Sequence, residues 1–291
     1  MQLLQSLIDG LLLGGVYATI AAGLSLAFGV MRIVNWAHGE FLMVAMYVAN
    51  VLVTSTGVDP YLSILITGPV FFIVGYVLQK GLFNRLLQRE KAREPMSVMM
   101  FTIGLAMVLT NGALLLFSAN TRITPTIYQG KSIVLGEMMI SIPRFISFMI
   151  ALVITTGLYF FLMKTETGRA LRASSQDRSS ATLMGINEKK IYSIAFGISL
   201  GLVGVSASLL IPFFSVYPTV SLVFGFKAFV IVVMGGKGSI PGALLGGLIV
   251  GLTEKVGGLF FSDAYAQIIL FLLFVVILLC KPSGLLGKEK S

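Results

Sequence analysis

The sequence predicts an all-α polytopic membrane protein with eight to ten transmembrane or re-entrant helices. Three observations carry that prediction. Of 291 residues, 56% are hydrophobic and only 11% are charged, where a soluble domain carries roughly 25% charged residues. Apolar runs close to the length that crosses a bilayer recur along the chain. The basic residues collect in a few polar connections between those runs. Mean hydropathy is +0.95, so apolar surface is expected to be covered by lipid and by neighbouring helices. The 32 glycines fit close helix approach in a membrane.

The first run, 3–30, is long and uninterrupted. It begins without a basic n-region, so no separate signal peptide is expected. It leads into VMRIVNWAHGEFLMVAMY, 30–47, which places the chain's single Trp and single His beside Arg32, Asn35 and Glu40. Asn35, Trp36, His38, Gly39 and Glu40 read as a polar break between two helices. Asn is a good N-cap and Glu in a first turn complements the helix dipole. Ionisable groups at membrane depth also face bundle interiors or wet pathways, and both readings stand. A metal site is not expected, since one His, no HExxH pattern and the single Cys280 make a poor ligand set. Cys280 alone also excludes an intrachain disulfide.

Further runs follow at 41–56, 60–79, 96–118, 145–163, 191–214, 219–234, 243–261 and 265–280. Those at 41–56, 219–234 and 243–261 are short or Gly-rich, so some are expected to be broken. The connection at 80–95 carries Lys80, Arg85, Arg89, Lys91 and Arg93. The one at 164–190 carries Lys164, Arg169, Arg172, Arg178, Lys189 and Lys190, and the tail adds Lys281, Lys288 and Lys290. These segments hold 14 of the 21 Lys and Arg, which places all three in the cytoplasm by the positive-inside rule. An outer loop is expected at 119–144. The same distribution explains the net charge of +9 without a nucleic-acid partner.

A second break is expected at VVMGGKGSIPGALLGGLIVGLTE, 232–254. Gly235, Gly236, Gly238, Pro241 and Gly242 cannot sit comfortably in a helix interior. Lys237 is followed by glycine, so the spacing of a phosphate-binding loop is absent. Both breaks follow a Val-Met ending, and paired discontinuous helices mark transporter pathways. Gly-rich packing without a pathway is the other reading. The 164–190 connection is long for a simple turn. Residues 169–184 read either as a short amphipathic helix offered to a cytoplasmic partner or as a solvated loop held to lipid phosphates.

The chain resembles, over essentially its full length, the membrane permeases of bacterial branched-chain amino acid ABC importers. The landmarks are GLLLGGVYATIAAGLSLAFGVMRIVNWAHGEFLMVAMY, TGRALRASSQDRSSATLMGIN, GFKAFVIVVMGGKGSIPGALLGGLIVGLTE and the ending KPSGLLG. The resemblance implies a single permease domain over 1–291, the shorter of two paired permeases, in the bacterial inner membrane. It implies a homologous second permease subunit, two cytoplasmic ATPase subunits that carry ATP and Mg, and a periplasmic substrate-binding protein. No cofactor and no catalysis are expected of this chain itself. On the resemblance, 164–190 is the ATPase-coupling segment, with Gly168, Arg169, Arg172, Asp177, Ala181, Gly185 and Asn187 as its face. Importers commonly carry an EAA-x3-G pattern there; here Ala181 and Gly185 match, while Ser179 and Ser180 stand at the Glu and first Ala positions. The substrates implied are branched-chain or other hydrophobic amino acids. The alternatives are urea or short amides, a sugar, or an ATP-independent ion-coupled carrier or channel.

Overall fold

The computed structural model describes residues 2–31, 33–89, 96–136, 138–260 and 263–287. Arg32, Lys91, Arg93, Lys288 and Lys290, all named above for their charge, lie outside the described residues. The helices are α1 Gln2–Met31, α2 His38–Thr56, α3 Ile64–Leu78, α4 Asn84–Arg89, α5 Met96–Phe117, α6 Ile142–Lys164, α7 Glu166–Gln176, α8 Arg178–Leu183, α9 Glu188–Leu210, α10 Val220–Gly235, α11 Ile240–Phe260 and α12 Asp263–Cys280. A π-helical turn, Gln79–Phe83, joins α3 to α4. Among the described residues seven helical segments are long and apolar enough to cross a membrane, and α10 and α12 supply two shorter apolar ones. That total falls within the range expected from the sequence. The outer connection adds one antiparallel hairpin, β1 Ser132–Leu135 with β2 Met138–Ser141, which the apolar runs did not announce.

α1 is buried over most of its length and forms the centre of the bundle. Backbone contact between helices is made by glycine. Gly10 and Gly14 of α1 meet Gly251 and Gly247 of α11, and a Cβ on Gly14 would stand 2.7 Å from Gly247 O. α3 and α9 repeat the device, with Gly75 against Phe196 O and Gly204 against Thr67 O. Lipid is as apolar as leucine, so close van der Waals contact and interhelical hydrogen bonds hold such pairs together. The bonds are present: Ser63 Oγ donates to Ser208 Oγ at 2.8 Å, and Thr67 Oγ1 lies 2.9 Å from the same hydroxyl.

Two ends of the bundle are distinct. At one, Arg178 reaches Met31 O at 3.1 Å and Asn84 reaches Lys189 O at 3.4 Å. The C-terminal segment returns there, with Leu285 and Leu286 donating their N–H groups to Met234 O and Gly235 O. At the other end, Gln5 binds Met139 O at 2.7 Å, Arg144 pairs with Asp9 at 2.9 Å, and Asn50 donates to Thr124 at 2.8 Å.

Candidate functional site

The first break does what a re-entrant segment does. His38 Nε2 lies 3.3 Å from Ile20 O. Ile20 stands eleven residues before the end of α1, about 16 Å at 1.5 Å per residue. The chain therefore leaves Met31, doubles back through 33–37 alongside α1, and begins α2 inside the bundle. Irregular backbone at that depth is tolerated where protein or a cavity surrounds it.

One detail differs from expectation. Ala37, not Asn35, is the N-cap of α2, and no side chain caps that helix. Asn35 Oδ1 instead accepts the Ala37 N–H at 3.1 Å, closing a turn two residues on. The short side chain reaches its local backbone before it can reach the first helical turn. Glu40 does stand in the first turn of α2.

The break lines a cavity of about 420 Å³. Asn35, Trp36, His38, Gly39 and Glu40 form one wall; α5 supplies Ile103, Ala106, Met107, Thr110 and Asn111; α10 supplies Ser221, Leu222, Gly225, Phe226 and Phe229; Leu24 of α1 and Val34 complete it. Gly39 permits the walls to meet, since a Cβ there would stand 2.5 Å from Ser221 O. Trp36 stacks on Phe229 with ring centroids 6.0 Å apart. Ser221 stands in the same wall, its hydroxyl donating to Pro218 O at 3.5 Å. Asn35 Nδ2, His38 Nδ1 and Glu40 Oε2 are buried here without a hydrogen-bond partner among the described residues.

Across α10 lies a feature that sequence reading missed. Lys227 Nζ sits 2.7 Å from Glu254 Oε2 and 3.1 Å from Tyr17 Oη, and Tyr17 Oη donates to Glu254 at 3.0 Å. The group joins α1, α10 and α11. It borders a second cavity of about 240 Å³, with Gln267, Leu270 and Phe271 of α12 opposite. Leu222 and Phe226 line both cavities, so α10 is the partition between them. The available signal was a lone Lys inside an apolar run, since intramembrane charges seek partners.

The second break is not equivalent to the first. Gly235, Gly236, Gly238, Pro241 and Gly242 line neither of these cavities. They make the corner between α10 and α11 at the end where α1 and α12 also terminate. Gly236 and Gly238 have φ of +103° and +81°, which L side chains resist. A Cβ on Gly236 would stand 2.5 Å from Gly287 N, so the ending KPSGLLG is seated on this corner. Gly238 N–H donates to Ser25 Oγ at 3.1 Å, tying the corner to α1. Ser239 Oγ caps α11 by accepting Gly242 N–H, and Pro241 takes a first-turn position that needs no N–H partner.

Of the two readings open for 169–184, a short amphipathic helix or a solvated loop, the structure has neither alone: in the 164–190 segment two helices, α7 and α8, meet at Asp177. Asp177 breaks it by capping α8, accepting the Ser179 N–H at 2.9 Å. Thr165 caps α7 through Gly168 N–H, and Asn187 caps α9 through Lys190 N–H. Gly185 ends α8 with φ of +82°. Gly168 and Ala181 are buried, Arg172 Nε is buried without a partner among the described residues, and Arg169 is exposed. The seven residues singled out therefore build the segment from several sides and do not share one exposed face. Its exposed apolar tip is Leu183 and Met184, 88% and 83% accessible. Arg178 anchors it through Met31 O, Glu188 at 3.0 Å and the Tyr192 ring.

Among the described residues no cluster of three or more His, Cys, Asp or Glu could hold a metal ion. Seven helices long and apolar enough to cross a membrane, among the described residues, define the class as a polytopic membrane protein. The chain belongs to the family described as branched-chain amino acid transport system / permease component, whose model matches residues 6–278. It is similar to the high-affinity branched-chain amino acid transport system permease protein BraD of Pseudomonas aeruginosa, at 31% identity over 99% of this chain and 96% of that protein. The corresponding LivH of Escherichia coli K12 is 29% identical over the same shares. Similarity to the ribose import permease RbsC of Haemophilus influenzae is 28% over 79% of this chain and 71% of that protein. No solved structure matches. The family consists of transport permeases, so the chain is a non-catalytic transporter subunit.

Proposed function

We propose that this chain moves branched-chain or other hydrophobic amino acids inward across the bacterial inner membrane as one permease of an ATP-driven importer. Near-complete coverage of BraD and LivH, against the shorter match to RbsC, supports amino acids over sugars. The observation that carries a pathway is the re-entrant 33–37 segment, which brings Asn35, His38 and Glu40 into the wall of an intramembrane cavity. α10 separates that cavity from the second one, so a shift of α10 redistributes space between them.

The α7–α8 segment is the docking element for a cytoplasmic ATPase, with Leu183 and Met184 entering a groove and Gly168, Asp177, Gly185 and Asn187 setting the shape that presents them. ATP and Mg reside on two ATPase subunits; a homologous permease and a periplasmic binding protein complete the assembly. With the α7–α8 end in the cytoplasm, loop 80–95 and the C-terminus lie there as well. Gln2, at the other end of α1, then lies outside.

Proteoliposomes containing the permease pair and its ATPases test this reading. Leucine uptake driven by ATP and by the loaded binding protein is the expected result. Uptake that persists without ATPases under an ion gradient would place the chain among ion-coupled carriers. Replacing Leu183 and Met184 by Asp should abolish ATPase co-purification while the permease remains folded.

A further inference from the structure

We propose that the 420 Å³ cavity is a water-filled apolar slot that takes the side chain of a hydrophobic amino acid, with Trp36 as its contact wall. The inference rests on the permease reading above and adds where this subunit meets its cargo and which part of the cargo it reads.

The re-entrant turn is what puts an indole there. Trp36 precedes His38 by two residues, so the backbone that runs beside Ile20 carries it well inside the bundle. It remains 50% exposed, with Phe229 of α10 backing its ring at 6.0 Å. Its backbone N–H donates to Thr102 Oγ1 of α5 at 3.4 Å. The rear of the slot is closed by main chain: a Cβ on Gly225 of α10 would stand 3.0 Å from Gly39 Cα. Across the space α5 presents Ile103, Ala106 and Met107, and α10 presents Leu222 and Phe226.

Two observations decide what enters. Irregular backbone such as 33–37 is not tolerated against lipid and persists at membrane depth where protein or a water-filled cavity surrounds it. The space it borders is therefore reached from water, and an apolar group that enters it takes apolar surface of both partners out of water. Asn35 Nδ2, His38 Nδ1 and Glu40 Oε2 are enclosed and have no accessible surface, so these atoms read no charge. Thr110 and Asn111 stand at the far end of the α5 wall, and the charged head of the cargo stays in water there. The volume suits a small ligand. Discrimination then follows apolar size, because one methylene in such a pocket is worth roughly tenfold or more.

Trp36 is the chain's only tryptophan, so its fluorescence reports on the slot in the full chain reconstituted in vesicles. Quenching by aqueous acrylamide is followed while glycine, alanine, valine or leucine is titrated. Leucine should shield Trp36 at a concentration about tenfold or more below alanine, and glycine should not shield it. 3-Methylbutylamine and 4-methylpentanoate should shield as well as leucine, since only the shared branched chain is read. Equal shielding by glycine and leucine overturns the proposal. Ala106→Phe places a ring in the slot and should abolish shielding, whereas Val108→Phe, at an exposed α5 position outside the slot, should preserve it. Shielding unchanged in Ala106→Phe overturns the proposal, and the amino acid series on the unaltered chain needs neither variant to fold. Vesicles of lipid brominated along the acyl chains test the other source of a branched or straight alkyl group. Strong quenching of Trp36 there that leucine does not relieve would assign the slot to lipid and overturn the proposal. ATP-driven uptake with the partner subunits is measured separately. Its absence would overturn the importer reading while the order of shielding still decides the slot.

Discussion

Lys227 Nζ lies 2.7 Å from Glu254 Oε2, with Tyr17 Oη within hydrogen-bond distance of both, and this ion pair joins α10 to α11 inside the membrane. Each charge is tolerated there because the other is present. The pair also fixes the helix that separates the two cavities.

Removing one partner should therefore cost more than removing both. Lys227→Met strands the partly buried Glu254 carboxylate beside the second cavity, a loss of about 1–3 kcal/mol, and should lower the unfolding temperature in detergent. Lys227→Met with Glu254→Leu should recover most of that stability. A double variant no more stable than the single one would show that the pair is not the source of the loss.

Glycine at the α1–α11 contact predicts a position-specific response. Gly14→Ala places a methyl 2.7 Å from Gly247 O, where only backbone can yield, and should destabilise by about 1–3 kcal/mol. Gly157→Ala on α6 meets nothing within 4 Å and should be neutral or stabilising by up to about 1 kcal/mol. Thermal unfolding of the two variants side by side decides whether close approach or mere glycine content matters.

The α10–α11 corner should respond in a third way. Gly236→Leu and Gly238→Leu force side chains onto positive φ and displace the 284–287 segment and Gly29 respectively. Both should abolish uptake, and full uptake in either would show that the corner is passive. Deleting the chain from residue 284 should reproduce the Gly236→Leu defect, because Leu285 and Leu286 satisfy the last carbonyls of α10.

For coupling, Arg178 is the residue to change. Arg178→Ala severs the ties to Met31 O and Glu188 and should leave ATP hydrolysis running while uptake falls. Asp177→Asn keeps a capping oxygen and should couple normally, whereas Asp177→Ala loses about 1 kcal/mol of cap. Charge reversal at Arg172 and Asp177 together should uncouple transport with the permease still folded. Parallel ATPase and uptake measurements on the reconstituted importer separate these outcomes.

How much of this was legible in the sequence varies by feature. The apolar runs became helices close to their expected bounds, with 96–118 returning as Met96–Phe117 and 145–163 as Ile142–Lys164. The 30–47 stretch was read as a polar break, and the structure adds that α2 starts at His38 beside Ile20 O. Lys227 was present in the quoted GFKAFV but passed over, because its partners Tyr17 and Glu254 are 210 and 27 residues away. The likeness drawn between the two breaks did not survive. One lines a cavity, and the other is a corner beneath the chain's C-terminal segment.

The sequence by itself determined a membrane-spanning helical protein, the approximate place of each helix and the gathering of basic charge in its connections. It could do so because a bilayer demands about 20 apolar residues per crossing and resists charge within them. The tertiary structure decided which helices touch, that α2 begins beside Ile20, that Lys227 meets Glu254, and that KPSGLLG seats on Gly236. In lipid the outside of the bundle is as apolar as its inside, so a helix face that meets protein carries little mark to distinguish it from one that meets membrane.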